Sequence, residues 1–329
     1  MFKTGVIGLG YWGPNLLRNL YANKRNGELI MCDSDTTRLE IMKLRYPDVS
    51  YTSDYRDILN DSSLDAVVVA TNVSSHFPLA KEALLAGKHV FVEKPFAASI
   101  EQAEELVELG EKNGLVTMVG HTFMFSPPVI KAKEIIDSGE LGEIHFITSS
   151  RVNLGLHQKD VSVIWDLAPH DFSMLFYWLG EEPSSVNAFG HAYVLDKIPD
   201  VAFINLAFPS GAIGNVQVSW LSPSKLRRTV IVGSRKMLVY DDTEPIEKIK
   251  VYDKGVEVIE PESFGEYQLS YRTGDILSPK LPTGEPLAAE MDEFLRCIET
   301  GSTPISSGAE GLAVVRALEL ADASLMKTD

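Results

Sequence analysis

Alternating strands and helices over residues 1–122, then longer strands separated by turns, predict an α/β Rossmann domain with a doubly wound parallel sheet. They predict in addition an α+β domain, residues 123–329, with a large, mostly antiparallel, open-faced sheet. Three observations carry this. The chain opens with an apolar strand that runs into Gly8-Leu9-Gly10-Tyr11-Trp12-Gly13 and then a helix start. The runs Ala66–Ala70 and His89–Val92 are too uniformly apolar for half-exposed strands and suit parallel strands covered on both faces. Past residue 122 the helix-sized intervals largely disappear, and Pro209-Ser210-Gly211 between two strands reads as a hairpin.

Taken in order, Pro14 falls in the first turn of a helix, where its missing N–H is not needed, and Leu16, Leu17 and Leu20 give that helix an apolar face. A strand over 28–32 ends at Asp33, and helices are expected over 36–46 and 55–59 around a short strand at 49–51. A helix over 74–86 is closed by Gly87, and a strand over 89–92 delivers Glu93-Lys94-Pro95. The amphipathic stretch 99–113 keeps Glu101, Glu104, Glu105 and Glu108 on a solvated side. A strand over 115–119 closes the alternating series.

The second half predicts a helix over 127–138 and strands over 143–152, 185–192, 201–208 and 212–220, with shorter ones at 228–232, 237–240, 249–252 and 256–259. One helix, 166–179, interrupts the sheet, and helices over 287–298 and 309–326 end the chain, with the option of packing back on the first domain. Few helices remain to cover the sheet, so one face is expected to meet another subunit in a homodimer or homotetramer.

The composition, 45% hydrophobic and 23% charged, is that of a globular protein. Net charge of -16 disfavours nonspecific attraction to nucleic acid and anionic membrane, so an anionic substrate needs a local basic pocket. Cys32 and Cys297 are the only cysteines, which excludes a disulfide framework and a CxxC metal site and fits a cytoplasmic setting. No signal-peptide pattern and no apolar run of the ~20 residues that span a bilayer is present.

Three constellations carry chemistry. The glycine turn leaves backbone N–H groups for a pyrophosphate, and Asp33, twenty residues after Gly13, stands where a carboxylate meets the adenosine ribose. That favours NAD over NADP, because a carboxylate repels a 2′-phosphate; Arg38 is near enough in sequence to soften the preference. Glu93-Lys94-Pro95 ends a buried strand at the ligand-binding edge, where Lys94 can polarise a substrate oxygen; a surface ion pair is the plainer alternative.

The third is Trp165-Asp166-Leu167-Ala168-Pro169-His170-Asp171. With Asp166 as N-cap, Pro169 lies in the tolerated first turn and His170 one turn above Asp166. His170 then suits a general base held by Asp166, or simply a buried, hydrogen-bonded histidine. No metal site is supported.

Together the glycine turn, Glu93-Lys94-Pro95, the Asp166–His170 pair and the late antiparallel sheet resemble the glucose-fructose oxidoreductase / inositol dehydrogenase (Gfo/Idh/MocA) family over essentially the whole chain. The resemblance implies an NAD(P)-dependent dehydrogenase of a sugar or polyol hydroxyl, with Lys94 and His170 catalytic, Asp166 supporting and a cis bond before Pro95. By position it adds Tyr11, Trp12, Ala70, Thr71, Asn72, Ser74, His76, Glu93 and His121 as cofactor contacts. The family's glycine within the Asp-to-His segment is replaced here by Leu167-Ala168-Pro169, and its later Asp by Ser173, which speaks against simple polyols such as inositol.

The run from Arg151 to Asp160, leading into Trp165–Asp171, is most similar to members that oxidise C3 of nucleotide-linked sugars, the UDP-N-acetylglucosamine 3-dehydrogenase type. Arg151, Asn153, His157 and Lys159 are the pocket residues this implies, each equally readable as sheet-edge polar surface. A dehydrogenase of a free sugar or polyol, and a noncatalytic NAD-sensing protein, are the alternatives. The implied picture is a hydride-transfer site with its cofactor half in the first domain and its other half in the second.

Overall fold

The computed structural model describes residues 1–158, 161–259 and 268–325. The chain divides into two units, Met1–Ser126 with Gly284–Glu319, and Pro127–Thr283 with the chain from Leu320 onward.

The first unit is built on six parallel strands: β1 (Phe2–Ile7), β2 (Asn26–Cys32), β3 (Ser50–Thr52), β4 (Ala66–Val69), β5 (His89–Glu93) and β6 (Thr117–Gly120), in the order β3-β2-β1-β4-β5-β6. Helices α1 (Gly13–Ala22), α2 (Thr36–Arg45), α3 (Tyr55–Asn60), α4 (Val73–Leu85) and α5 (Ile100–Asn113) connect them. Val67, Val68, Val69, Val90, Phe91 and Val92 are fully buried, which is why these strands lack the alternation of a half-exposed sheet. Strand order reverses between β1 and β4, and ligands of such sheets bind beyond the strand ends at that point.

The late helix α8 (Pro286–Thr300) and the first part of α9 (Gly308–Leu325) belong to this unit. Between them, Ser306 accepts the Val119 N–H at 2.8 Å and Ser307 bridges Met118, so edge strand β6 is covered. Phe294 of α8 meets Phe91 edge-on at 5.8 Å, both fully buried. Residue 326, the expected end of the last helix, lies outside the described residues.

Among its described residues the second unit holds α6 (Pro127–Asp137), α7 (Val163–Leu179) and eight strands: β7 (Ile144–Leu154), β8 (Ser185–His191), β9 (Val201–Ala207), β10 (Ile213–Ser219), β11 (Leu221–Gly233), β12 (Met237–Asp241), β13 (Ile249–Ile259) and β14 (Gln268–Leu277). Their order is β14-β13-β12-β11-β7-β10-β9-β8, antiparallel throughout except for the β7–β10 pair. One face, with Ile147, Ile204, Val216 and Val218, is buried beside α7; Phe189, Phe203 and Ile213 stay exposed. Trp178 ties α7 to α6 through the Val129 carbonyl at 3.0 Å.

The structure corrects three expectations. β11 starts at Leu221 rather than at 228, because Leu221 pairs with Leu154 across a bulge that absorbs Pro223. β13 is one strand, not two: the turn-like Asp253-Lys254-Gly255 is carried through a register shift opposite β14, a strand that the sequence reading omitted. The helix expected from 166 begins at Val163, since Val163 and Ile164 are fully buried and the Val163 N–H is satisfied by the Pro199 carbonyl at 2.9 Å. Asp166 is therefore not the cap, and Pro169 lies inside the helix.

Replacing Phe294 with Ala is expected to lower unfolding free energy by ~3–5 kcal/mol in urea titration. A change below about 1 kcal/mol would mean that α8 is an appendage rather than part of the first unit's core.

Candidate active site

In the first unit the turn after β1 is set by backbone contact. Gly8 has φ +98, and a Cβ there would lie 2.4 Å from the Ala70 carbonyl oxygen; one at Gly13 would lie 1.9 Å from the Gly8 oxygen. A Cβ at Gly10 would meet only the Arg38 guanidinium, at 3.6 Å, so the space over Gly10 is open. α1 follows with no side-chain cap and no acidic residue in its first turn, leaving the positive end of its dipole for an anion. These residues fit a dinucleotide pyrophosphate.

Asp33 is 6% exposed and holds two backbone N–H groups, Leu9 at 2.7 Å and Asp35 at 2.8 Å. It thus shapes the glycine turn as well as presenting charge at the end of β2. Arg38 lies 3.6 Å from Asp33 and 3.5 Å from Asp35. Tyr11 is exposed, and its ring stacks on that of Trp12.

At the end of β4, Ala70 is buried, Thr71 is half-buried, and Asn72 and Ser74 are exposed at the start of α4. His76 is 1% exposed with Nδ1 2.8 Å from the Pro95 carbonyl and Nε2 3.2 Å from that of Thr71. Its ring joins the β4 and β5 loops, and burial holds its pKa below the usual imidazole value.

β5 delivers Glu93 opposite Gly120, where a Cβ would lie 3.0 Å from the Glu93 carboxyl. The Lys94–Pro95 peptide is cis, as the resemblance implies. Burial raises Glu93 to about 7, against the pull of the Lys94 ammonium, the Lys94 N–H and the Trp12 side chain. His121, 1% exposed, is lowered to about 3 by burial and then by the Lys94 charge, so its imidazole is neutral.

A fourth group was absent from the sequence reading. Glu290 of α8 is fully buried, accepts the Thr122 hydroxyl at 2.7 Å, and is raised well above the usual carboxylate range by burial and then by Glu93. The signal was available: Leu287, Glu290, Met291 and Phe294 share one helix face, and a carboxyl among three apolar residues marks a buried acid.

In the second unit, Asp166 and His170 stand four residues apart on α7, on one helix face. The Trp220 indole donates to Asp166 Oδ2 at 3.0 Å. Beneath them, Asp171 and Arg151, 1% and 3% exposed, pair at 2.6 Å, and Ser149 donates to Asp171 at 2.7 Å. Arg151 is thus engaged within the layer between β7 and α7. Asn153 is half-buried on β7. His157 lies against the Trp220 ring, its Nε2 3.8 Å from the buried Asp200. Lys159 falls outside the described residues. Among the described residues no group of side chains could hold a metal ion, and no helix is long and apolar enough to cross a membrane.

Two family descriptions match: "Oxidoreductase family, NAD-binding Rossmann fold" over residues 2–121, and "GFO/IDH/MocA C-terminal domain" over residues 129–239. The chain belongs to the Gfo/Idh/MocA oxidoreductase family. It is an oxidoreductase of the type that acts on sugar and polyol hydroxyls, with NAD as cofactor.

It is 26% identical to the scyllo-inositol 2-dehydrogenase (NAD(+)) of Bacillus subtilis, covering 92% of this chain and 88% of that protein. It is also 26% identical to the UDP-N-acetylglucosamine 3-dehydrogenase of Acidithiobacillus ferrooxidans, covering 96% and 94%. Among solved structures, GenD2 from gentamicin A biosynthesis in complex with NAD has a TM-score of 0.82 at 22% identity, covering 100% of this chain and 95% of that one.

Two outcomes follow. Gly13→Ala should weaken NAD binding about 100-fold or more in calorimetric titration, the equivalent of roughly 2.7 kcal/mol. For Glu290→Gln, the folded wild type keeps a proton that the unfolded chain releases near the ordinary carboxyl value of 4.5, so wild-type stability falls as pH rises from there toward neutrality. The melting temperature of the variant should therefore gain on wild type as pH rises through that window; a constant difference would mean that Glu290 is ionised in the fold.

Proposed function

We propose that the chain oxidises a secondary hydroxyl of a sugar with NAD as acceptor, and that its substrate is a nucleotide-linked sugar, such as UDP-N-acetylglucosamine, oxidised at C3. The observation that carries the reading is Lys94, directly after the carboxyl end of β5 and in the same unit as the glycine turn. The nucleotide-sugar part is supported by the residue run 151–171 and by the 26% identity, over 96% of this chain, to a protein with that activity.

Gly8, Gly10, Tyr11, Trp12 and Gly13 would hold the pyrophosphate, and Asp33 with Arg38 the adenosine end. Ala70, Thr71, Asn72, Ser74, His76, Glu93 and His121 complete the proposed cofactor contacts, with the His76 ring between the Thr71 and Pro95 carbonyls and its one N–H available to either. NAD supplies an acceptor for two electrons; when bound, it would take the hydrogen of the carbinol C–H bond together with the bonding pair.

In the reaction the hydroxyl O–H breaks, His170 takes the proton, and the oxygen becomes a carbonyl. Lys94 stabilises charge on that oxygen, and Asp166 supports the imidazolium. Arg151, Asn153, His157 and Lys159 are the proposed substrate residues; for Arg151 its pairing with Asp171 makes an indirect contribution the simpler one. A second copy of the chain against the exposed face carrying Phe189, Phe203 and Ile213 is the proposed assembly, and a cytoplasmic setting suits the two free thiols.

His170→Asn should lower kcat/KM by about 100- to 10,000-fold while NAD affinity changes less than about twofold. Wild-type turnover in that variant would remove His170 from the reaction. A panel of UDP-N-acetylglucosamine, inositol and glucose with NAD separates the nucleotide-sugar reading from the polyol one, and NADH formation with none of them would favour a noncatalytic NAD-binding role.

A further inference from the structure

Trp220 is held by its backbone and its ring beside Asp166, and nothing in the sequence marks it out. It sits at the corner between β10 and β11, 1% exposed. Its backbone N–H is donated to the Asp200 carbonyl at 2.9 Å, and its carbonyl accepts the Gly155 N–H at 3.0 Å. Asp200, itself fully buried, uses its carboxylate Oδ2 to accept the N–H groups of Tyr193 at 3.0 Å and Val194 at 2.8 Å. The indole face carries the His157 ring at a centroid distance of 5.2 Å. With backbone and ring fixed, the remaining polar group, Nε1–H, is spent on Asp166 Oδ2 at 3.0 Å.

Gly155 is part of the same arrangement. A Cβ there would lie 2.7 Å from Trp220 Cδ1 and 3.2 Å from Asn153 Nδ2, so the residue after β7 is kept small to let the indole pass. The chain thus gives up a side chain at 155 to hold one ring in one place.

We infer that Trp220 is a positioning residue: it fixes the rotamer of Asp166 and engages one of its two oxygens, and so sets how the carboxylate supports His170. The physical argument is that a hydrogen bond to a carboxylate restricts its torsion and stabilises its anionic form, making it a weaker acceptor for a second partner. The β10–β11 corner and the residues following β7 are thereby linked to the face of α7 that carries the proposed base. This rests on the assignment of Asp166 and His170 under the proposed function.

The test is Trp220→Phe, which removes the N–H and keeps an aromatic, though smaller, ring in this buried place. Expected are a kcat lowered about tenfold or more and unchanged NAD affinity. The acidic limb of the kcat profile should move to higher pH, because a carboxylate relieved of the indole donor holds the imidazolium more tightly. A merely structural role would leave the limb in place.

Gly155→Ala, which retains the indole but displaces it, should move kcat and the limb in the same directions, and serves if Trp220→Phe does not fold. In an Asp166→Asn background, Trp220→Phe should cost less than about twofold further, since the group it positions is altered. A folded Trp220→Phe or Gly155→Ala protein with wild-type kcat and limb would overturn the inference, as would full loss persisting in the Asp166→Asn background. If Asp166→Asn alone is fully active, the assignment of Asp166 itself fails, whatever Trp220→Phe does.

Discussion

The first unit depends on the approach of two backbones, the turn after β1 and the end of β4. At Gly8 and Gly13 there is no room for a single carbon atom against the carbonyls of Ala70 and Gly8. That closeness brings α1 down onto the sheet with its N-terminus open, and Asp33 secures it by holding the Leu9 N–H from the neighbouring strand. The same contact that closes the turn therefore builds the proposed anion site. Packing and the proposed cofactor contact are here one constraint, not two.

Further along the same strand ends the chain tolerates costly burial. Glu93 and Glu290 lie out of water, with titrations pushed up, while His121 is pushed down and stays neutral. Burial shifts both carboxyls toward the protonated form. Lys94, half-buried just past β5, is the cation proposed to act on negative charge developing at the substrate oxygen. In the second unit the corresponding investment is in Arg151–Asp171 below α7 and Trp220–Asp166 at its side, which hold one helix face from two directions.

Much of this was legible in the residues. The glycine turn, the apolar runs at β4 and β5 and the strand-ending Glu93-Lys94-Pro95 are local patterns, and local patterns survive folding. Where expectation and structure part, a distant partner decided the outcome. The start of α7 moved to Val163 because the Pro199 carbonyl caps its N–H, some 36 residues away in sequence. β14 went unseen because, among the described residues, its only strand partner is β13, so neither side needs the strong alternation of a buried strand. Glu290 and Trp220 carry no motif; their importance comes from what α8 and the β10–β11 corner bring near Thr122 and Asp166.

The proposed reaction sends a hydride from C3 of a nucleotide sugar to NAD. The most direct measurement is to incubate the protein with NAD and UDP-N-acetylglucosamine deuterated at C3, and to analyse the recovered NADH by mass spectrometry. NADH should carry one deuterium, and turnover should be slower than with the unlabelled sugar. NADH formed without deuterium would contradict the position of oxidation, and no NADH with this sugar, alongside rapid NADH formation from inositol, would contradict the substrate class.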